Sequence, residues 1–251
     1  DRTDLLYSLI QNMITFGRFS DAFKPKQKVE AWNTSEKLFL EKDYTGSYEA
    51  FFNYLRDDDV GNLNFRKTPG QSPAEDTIDF ELQQGSKLIR GKIAGGKITA
   101  EADIAAYEKL SVAFMRRLME MNYTLFYSRF ALKDNHITIK FDSTISAAPP
   151  RKLYYAWKEL ATRADKQDDL LADDFAMLKP TSSGHVEELT PQEKEIKYNF
   201  FRKWLEGTIK RIDELNQDAF SGGISYLLLN TAYKIDYMIA PEGTLMNEIE
   251  K

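Results

Sequence analysis

The 251-residue chain carries 34 Lys plus Arg against 39 Asp plus Glu, and its net charge of -5 argues against a general nucleic-acid-binding protein. It has no cysteine and two histidines, which excludes disulfides, thiol catalysis, cysteine-ligated metal centres and a three-histidine zinc site. Hydrophobic residues make up 42% and aromatic residues 13%, a composition typical of a folded core.

The first quarter of the chain has helical spacing. Apolar residues from Leu5 to Ile14 recur at steps of three and four, and Pro25 ends the run. Residues 32–55 predict two short helices joined near Lys42–Thr45, which we interpret as an αα-hairpin. A single tetratricopeptide unit has similar spacing, so a tetratricopeptide-like helical scaffold is one alternative.

The middle of the chain changes period and predicts five strands. Ile78, Phe80 and Leu82 alternate with polar residues, which indicates a strand with one solvated face. Gln84-Gly85 is a predicted hairpin turn. In chain order, the sequence predicts a strand at residues 60–65, strands at 78–82 and 88–93, a helix at 101–122, strands at 125–132 and 137–141, and a long helix at 153–178.

The predicted fold class is therefore α+β. A five-stranded, mainly antiparallel sheet is flanked by helices in the order α-β-β-β-α-β-β-α, with helical extensions at both ends. We divide the chain into an N-terminal extension (1–44), an α+β domain (45–180) and a C-terminal helical segment (181–251) that packs on the same domain. Residues 180–185 are the predicted linker, and Thr190, Pro191 and Glu193 predict a capped helix to about Asn216, followed by one at 224–239.

Residues 91–97 come close to a phosphate-binding loop. They fit G-x-x-x-x-G-K, but Ile98 stands where the magnesium-holding hydroxyl is required. Because two adjacent glycines also end a hairpin strand well, we interpret Gly95-Gly96 as a turn.

An acidic run offers the strongest case for a metal site. Asp165, Asp169 and Asp173 would share one helix face with Asp168 and Asp174 beside them, and two such carboxylates could share a divalent ion. The simpler interpretation is a solvated face. His136 and His185 each lack a neighbouring metal or nucleophile motif, so we expect no catalytic residue, no bound metal and no cofactor.

Aromatic clusters give the clearest candidate site. On a strand at 125–132, aromatic side chains would point to both faces, either into a two-sided core or onto a surface for a peptide or second subunit. The candidate interaction residues are Phe126, Tyr127, Phe130, Tyr154, Tyr155 and Trp157.

One family resemblance involves these same segments. A helix closes at residues 119–122 (Met-Glu-Met-Asn), a strand follows at 125–132, a polar turn at 133–135, and a returning strand at 137–141. Over residues 45–178 this order resembles the type III secretion chaperone-like fold, and within it the YbjN-like family described as sensory transduction regulators. The resemblance implies a dimer-forming domain that binds proteins or peptides without a cofactor.

We therefore expect a non-enzymatic protein-interaction or chaperone-like module. We expect it to be cytoplasmic and to bind neither nucleic acid nor membrane. It would bury an apolar segment of a protein or peptide partner, or of a second copy in a homodimer. The alternative is a metal-dependent enzyme or ligand-binding protein that uses Asp and Glu.

Overall fold

Alternating apolar residues fold the middle of the chain into one antiparallel sheet. The computed structural model describes residues 24–58, 61–71, 76–181, 189–216, 219–241 and 243–249. The chain divides into two compact units, 1–186 and 187–251. The predicted N-terminal helix at residues 5–14 and His185 lie outside the described residues.

In the described residues of the first unit, the sheet has seven strands, and the prediction of an α+β fold with an antiparallel sheet is confirmed. The order is β1-β2-β3-β4-β6-β5, and β7 pairs with the end of β4. The strands are β1 (Leu63–Thr68), β2 (Thr77–Gln84), β3 (Lys87–Ala94), β4 (Lys97–Tyr107), β5 (Arg129–Lys133), β6 (His136–Thr144) and β7 (Leu178–Pro180).

Four described helices accompany the sheet in this unit, and three form the second unit. The first unit has α1 (Lys26–Leu40), α2 (Tyr44–Leu55), α3 (Val112–Tyr123) and α4 (Pro150–Asp174). The second has α5 (Pro191–Asp213), α6 (Ser221–Ile239) and α7 (Gly243–Ile249). The predicted packing of residues 181–251 on the α+β domain stays a prediction.

The prediction of five strands was wrong because two strands were missed: part of β4 was taken as the start of a helix, and β7 was taken as the end of the helix at 153–178 and the start of the linker. Ile98, Ala100, Ala102 and Ile104 alternate inward along β4, but alanine gives a weak hydrophobic signal. Ser111 begins α3 instead, and its hydroxyl accepts a hydrogen bond from the Phe114 amide.

The two faces of the sheet differ in character. The inner face carries the apolar core, whereas the outer face carries cross-strand pairs of opposite charge. Arg90 lies 3.3 Å from Glu81, Lys92 lies 3.4 Å from Asp79, and Lys140 lies 3.0 Å from Glu101. The outer face is therefore a solvated face, and the expectation of aromatic groups on both faces was wrong.

Trp157 on α4 is the centre of the core. Its ring stacks on Phe80 at 4.6 Å between centroids and on Phe52 at 5.5 Å. Phe80 lies opposite Gly91 in the β2–β3 register, and a Cβ atom on Gly91 would meet the Phe80 ring at 2.0 Å. The first glycine of the phosphate-loop-like stretch is thus required by core packing.

The end of that stretch is a hairpin turn, as predicted. Gly95 and Gly96 join β3 to β4 with φ of +56° and +73°, conformations that favour glycine. Since a strand and not a helix follows the turn, the geometry is not that of a phosphate-binding loop.

The αα-hairpin of α1 and α2 packs against the sheet and α4. At its centre two buried serines exchange hydrogen bonds, Ser35 Oγ donating to the Ser47 carbonyl (2.7 Å) and Ser47 Oγ to the Ser35 carbonyl (2.8 Å). Trp32 contacts Phe51 and Tyr154. A hairpin covered by a sheet and a third helix is unlike a tetratricopeptide repeat, which stacks on its own copies.

A buried ion pair joins the β2–β3 hairpin to α4. Lys87 Nζ lies 2.9 Å from Asp168 Oδ2 and also donates to the carbonyls of Ile104 (3.0 Å) and Thr181. Both charged side chains are buried. The Ser86 hydroxyl donates a second bond to Asp168 Oδ2 (2.6 Å), so two successive residues of the hairpin bind this carboxylate.

We predict that Lys87→Met lowers the free energy of unfolding by about 3–5 kcal/mol, because it leaves the Asp168 charge buried without its partner. The control Lys92→Met breaks an exposed pair and costs about 1 kcal/mol or less. Urea denaturation followed by circular dichroism measures both. Equal stability of the two variants would contradict the assignment.

Candidate interaction surface

Residues 125–128 form a loop whose backbone is bound by one carboxylate. Glu159 on α4 accepts hydrogen bonds from the amides of Phe126 (2.8 Å), Tyr127 (2.9 Å) and Ser128 (2.8 Å). The Ser128 hydroxyl adds a fourth at 2.6 Å. We call residues 125–128 the aromatic loop.

This arrangement explains why the predicted strand at 125–132 was wrong in its first half. Three successive amides point at the same carboxylate, whereas alternate amides of a strand point in opposite directions. The strand β5 therefore begins only at Arg129, and the aromatic side chains before it do not follow the alternation of a sheet.

The six candidate residues separate into core and surface. Phe130 and Trp157 are buried in the core, and Tyr154 is half-buried against Trp32 and Tyr54. In contrast, Phe126 is 90% exposed, Tyr155 is 52% exposed and Tyr127 is 40% exposed. The two core residues therefore cannot contact a partner in the folded protein.

The three exposed side chains lie together. They line a shallow depression of about 420 Å³ that Lys158, Glu159 and Thr162 complete. We call Phe126, Tyr127 and Tyr155 the aromatic surface. The hydrogen bonds to Glu159 fix the loop backbone, so the rings of Phe126 and Tyr127 are carried by an ordered segment.

Helix α3 carries a second exposed apolar stripe immediately before the loop. Val112, Met115, Met119 and Tyr123 recur at steps of three and four and are exposed, on the side opposite buried Phe114, Leu118 and Met121. Methionine side chains adapt to differently shaped partners. Sequence reasoning missed this α3 stripe because it took the helix to start at residue 101, although the spacing was present in the sequence.

The edge of β5 is occupied by a side chain. Asn122 Oδ1 accepts from the Phe130 amide at 2.6 Å, and Asn122 Nδ2 donates to the Phe130 carbonyl at 3.1 Å. One amide side chain thus pairs both outward backbone groups of this residue, as a neighbouring strand would. This protects the edge and disfavours addition of a peptide strand at this position.

The acidic run is used for structure where it is described. Asp165 accepts from the Ser86 amide (3.2 Å), and Asp168 pairs with Lys87. The described residues contain no group of three or more His, Asp or Glu placed to hold a metal ion. His136 begins β6, and its Nδ1 lies 2.8 Å from the Asp134 carbonyl oxygen.

A second depression lies between the α1–α2 turn and the β3–β4 turn. It encloses about 460 Å³ and is lined by Asp43, Tyr48, Asp76, Gly95 and Ile145, among others. The Tyr48 hydroxyl donates to the Ile145 carbonyl at 2.7 Å, and burial raises the pKa of this hydroxyl. Its proton is therefore held by the backbone and is poorly suited to acid–base chemistry.

No family model matches the chain, and no curated protein sequence matches it. None of the described helices is long and apolar enough to cross a membrane.

The hydrogen bonds to Glu159 also set its ionisation. Burial by itself raises the pKa of this carboxyl, but the bonds from Ser128 and from the three loop amides outweigh burial and hold the pKa below its ordinary value. The loop is therefore bound by a carboxylate at neutral pH.

We predict that Glu159→Gln lowers hydrogen-exchange protection of amides 126–128 by roughly tenfold or more, because bonds to a charged acceptor contribute about 1.5–3 kcal/mol. Since the folded pKa lies below the unfolded one, the stabilisation is complete above the unfolded value and is lost as pH falls through the folded value. Hydrogen exchange with mass spectrometry measures both effects. The control Glu120→Gln removes an exposed carboxylate of α3 and should leave these amides unchanged; the same loss in both variants would contradict the prediction.

Proposed function

We propose that the first unit is a non-enzymatic protein-interaction module. It would bury an apolar segment of a partner on the aromatic surface and the α3 stripe. The observation that carries this proposal is the exposure of Phe126 and Tyr127, on a loop whose backbone is bound by Glu159, beside exposed Tyr155 of α4. Exposed aromatic and methionine side chains on an ordered backbone are typical of protein-binding surfaces.

The chemistry of the surface indicates the kind of segment. Arg116 lies on the same helix face as the α3 stripe, and Lys158 lines the depression beside Tyr155. An amphipathic helix with acidic residues beside its apolar face would match both the apolar surface and these cations.

The remaining surfaces of the first unit suit this role less well. The outer sheet face carries paired charges of opposite sign, and Asn122 covers part of the β5 edge. Burial of an apolar segment there would separate charges from their partners or from water.

A chaperone-like role is part of the proposal. It stems from the resemblance of residues 45–178 to the type III secretion chaperone-like fold and its YbjN-like family. A cytoplasmic location belongs to the same proposal and agrees with the lack of cysteine in the sequence.

The test uses a designed peptide. A fluorescein-labelled 18-residue peptide, with leucines at helical spacing and glutamates elsewhere, is titrated with the full chain and followed by fluorescence anisotropy. A peptide of the same leucine pattern with lysines in place of glutamates tests the role of charge, and a scrambled sequence tests amphipathicity.

We predict that Phe126→Arg weakens binding of the leucine–glutamate peptide at least tenfold, because a buried aromatic residue contributes about 2 kcal/mol or more to such an interface. Leu40→Arg is the matched control, since Leu40 is also largely exposed but lies outside the surface. Both variants should keep the wild-type melting temperature. Equal binding by the two variants, or no binding by the wild type, would contradict the proposed function.

Replacement of a core candidate should act differently. Trp157→Ala should lower the free energy of unfolding by about 3–5 kcal/mol, because it removes a buried ring. Urea denaturation measures this loss, and a change below 1 kcal/mol would contradict the core assignment.

A further inference from the structure

In the described part of the second unit, one face of helix α6 packs on a neighbouring helix and the other face is exposed. Helices α5 and α6 form an antiparallel hairpin in which the hydroxyls of Thr208 and Thr231 lie 2.8 Å apart and Lys197 donates to the Ile239 carbonyl at 2.8 Å. Ile235 is the buried apolar residue of α6 in this hairpin. The helix is therefore ordered against α5 along one face.

The opposite face of α6 is apolar and exposed. Tyr226, Leu229, Tyr233 and Tyr237 recur at steps of three, four and four residues, which places them about 180° from Ile235. Their exposed fractions are 70%, 51%, 65% and 67%. We call these four residues the α6 stripe.

Most charged residues of the hairpin lie on α5. The outward side of α5 carries Glu195, Arg202, Glu206 and Asp213, and Arg202 pairs with Glu206. Helix α6 has only Lys234 and Asp236 as charged residues, and neither belongs to the stripe. Lys234 instead lies over the Trp204 ring of α5, at 4.7 Å. The four residues of the α6 stripe carry no charge, whereas α5 mixes its charged residues with exposed apolar ones such as Tyr198 and Ile209.

The apolar area of the α6 stripe is just large enough for a stable contact between two copies of the chain. Tyrosine side chains bury about 150–250 Å² when fully covered, so the stripe and its margins offer roughly 500 Å² per copy. Two copies together would bury about 1,000 Å², the smallest area expected of a specific interface.

The spacing of the α6 stripe is also compatible with a two-fold axis that relates two copies of the chain. In an antiparallel pair of α6 helices centred near residue 231, Leu229 would face Tyr233 of the partner subunit, and Tyr226 would lie within one residue of the position facing Tyr237 of the partner subunit. A two-fold interface requires this reciprocity, in which residue i contacts j and j contacts i. Asp236 follows Leu229 by seven positions and Tyr233 by three, so its carboxylate would lie at the edge of the contact.

We propose that the α6 stripe is a homodimer interface, in which α6 packs antiparallel on α6 of a second copy. The proposal is independent of the proposed function, since it involves the second unit and different residues.

The test is the molar mass of the full chain by light scattering across a micromolar concentration series. The wild type should approach twice 29.0 kDa, and Tyr233→Arg should raise the dimer dissociation constant at least tenfold. Tyr198→Arg is the matched control, because Tyr198 is a similarly exposed tyrosine on α5, and it should remain dimeric. Phe126→Arg should also remain dimeric.

Three results would overturn the proposal. A wild type that stays at 29.0 kDa would show that a different partner or the rest of the chain covers the stripe. A dimer that Tyr233→Arg leaves intact would place the interface elsewhere. A dimer lost in Phe126→Arg, and not in Tyr233→Arg, would place it on the aromatic surface.

A cross-linking measurement keeps the test valid if Tyr233→Arg disturbs the hairpin. The chain has no cysteine, so a single introduced thiol reports on one position. Asn230→Cys lies near the proposed axis and should form a disulfide dimer under mild oxidation, whereas Glu206→Cys on the outward side of α5 should form far less. Equal cross-linking at the two positions would contradict the interface.

Discussion

Helix α4 supplies the constraint on which the first unit depends. Its apolar side carries Trp157 into the aromatic core, and its carboxylates bind the loops on either side of it. Glu159 holds residues 125–128, while Asp165 and Asp168 hold the β2–β3 turn through Ser86 and Lys87. The Lys87 ammonium group is buried and would be costly without an acceptor, and the loop amides gain charge-assisted hydrogen bonds, so these carboxylates stabilise both loops.

This constraint determines which surfaces are left for partners. The outer sheet face carries side chains of opposite charge in pairs, and Asn122 binds the outward backbone groups of Phe130 on β5. The exposed apolar area of the first unit then concentrates on α3 and the aromatic loop, where Glu159 keeps the backbone ordered. Exposure of large apolar groups on ordered backbone disfavours the isolated protein and favours a bound state. The same argument applies separately to the α6 stripe.

The sequence predicted the features that depend on local pattern. The αα-hairpin, the turns that join β2 to β3 and β3 to β4, and the capping box at Thr190 all follow from spacing, glycine or capping chemistry. The sequence-based prediction failed where contacts between residues far apart in the chain determine the local structure. Alanines hid the alternation of β4, and nothing near residues 125–128 signals that Glu159, more than thirty residues away, takes their amides from a strand. The aromatic cluster was found, but only the fold separates buried Trp157 and Phe130 from exposed Phe126 and Tyr155.

The central claim is that the aromatic surface is an ordered binding site. The most direct test is a nuclear magnetic resonance titration of the ¹⁵N-labelled full chain with the leucine–glutamate peptide. We expect the largest chemical-shift changes at amides 126–128 and along the outer face of α3, with small changes on the outer sheet face. Changes confined to the charged sheet face or to the second unit, or no saturable change, would contradict the account.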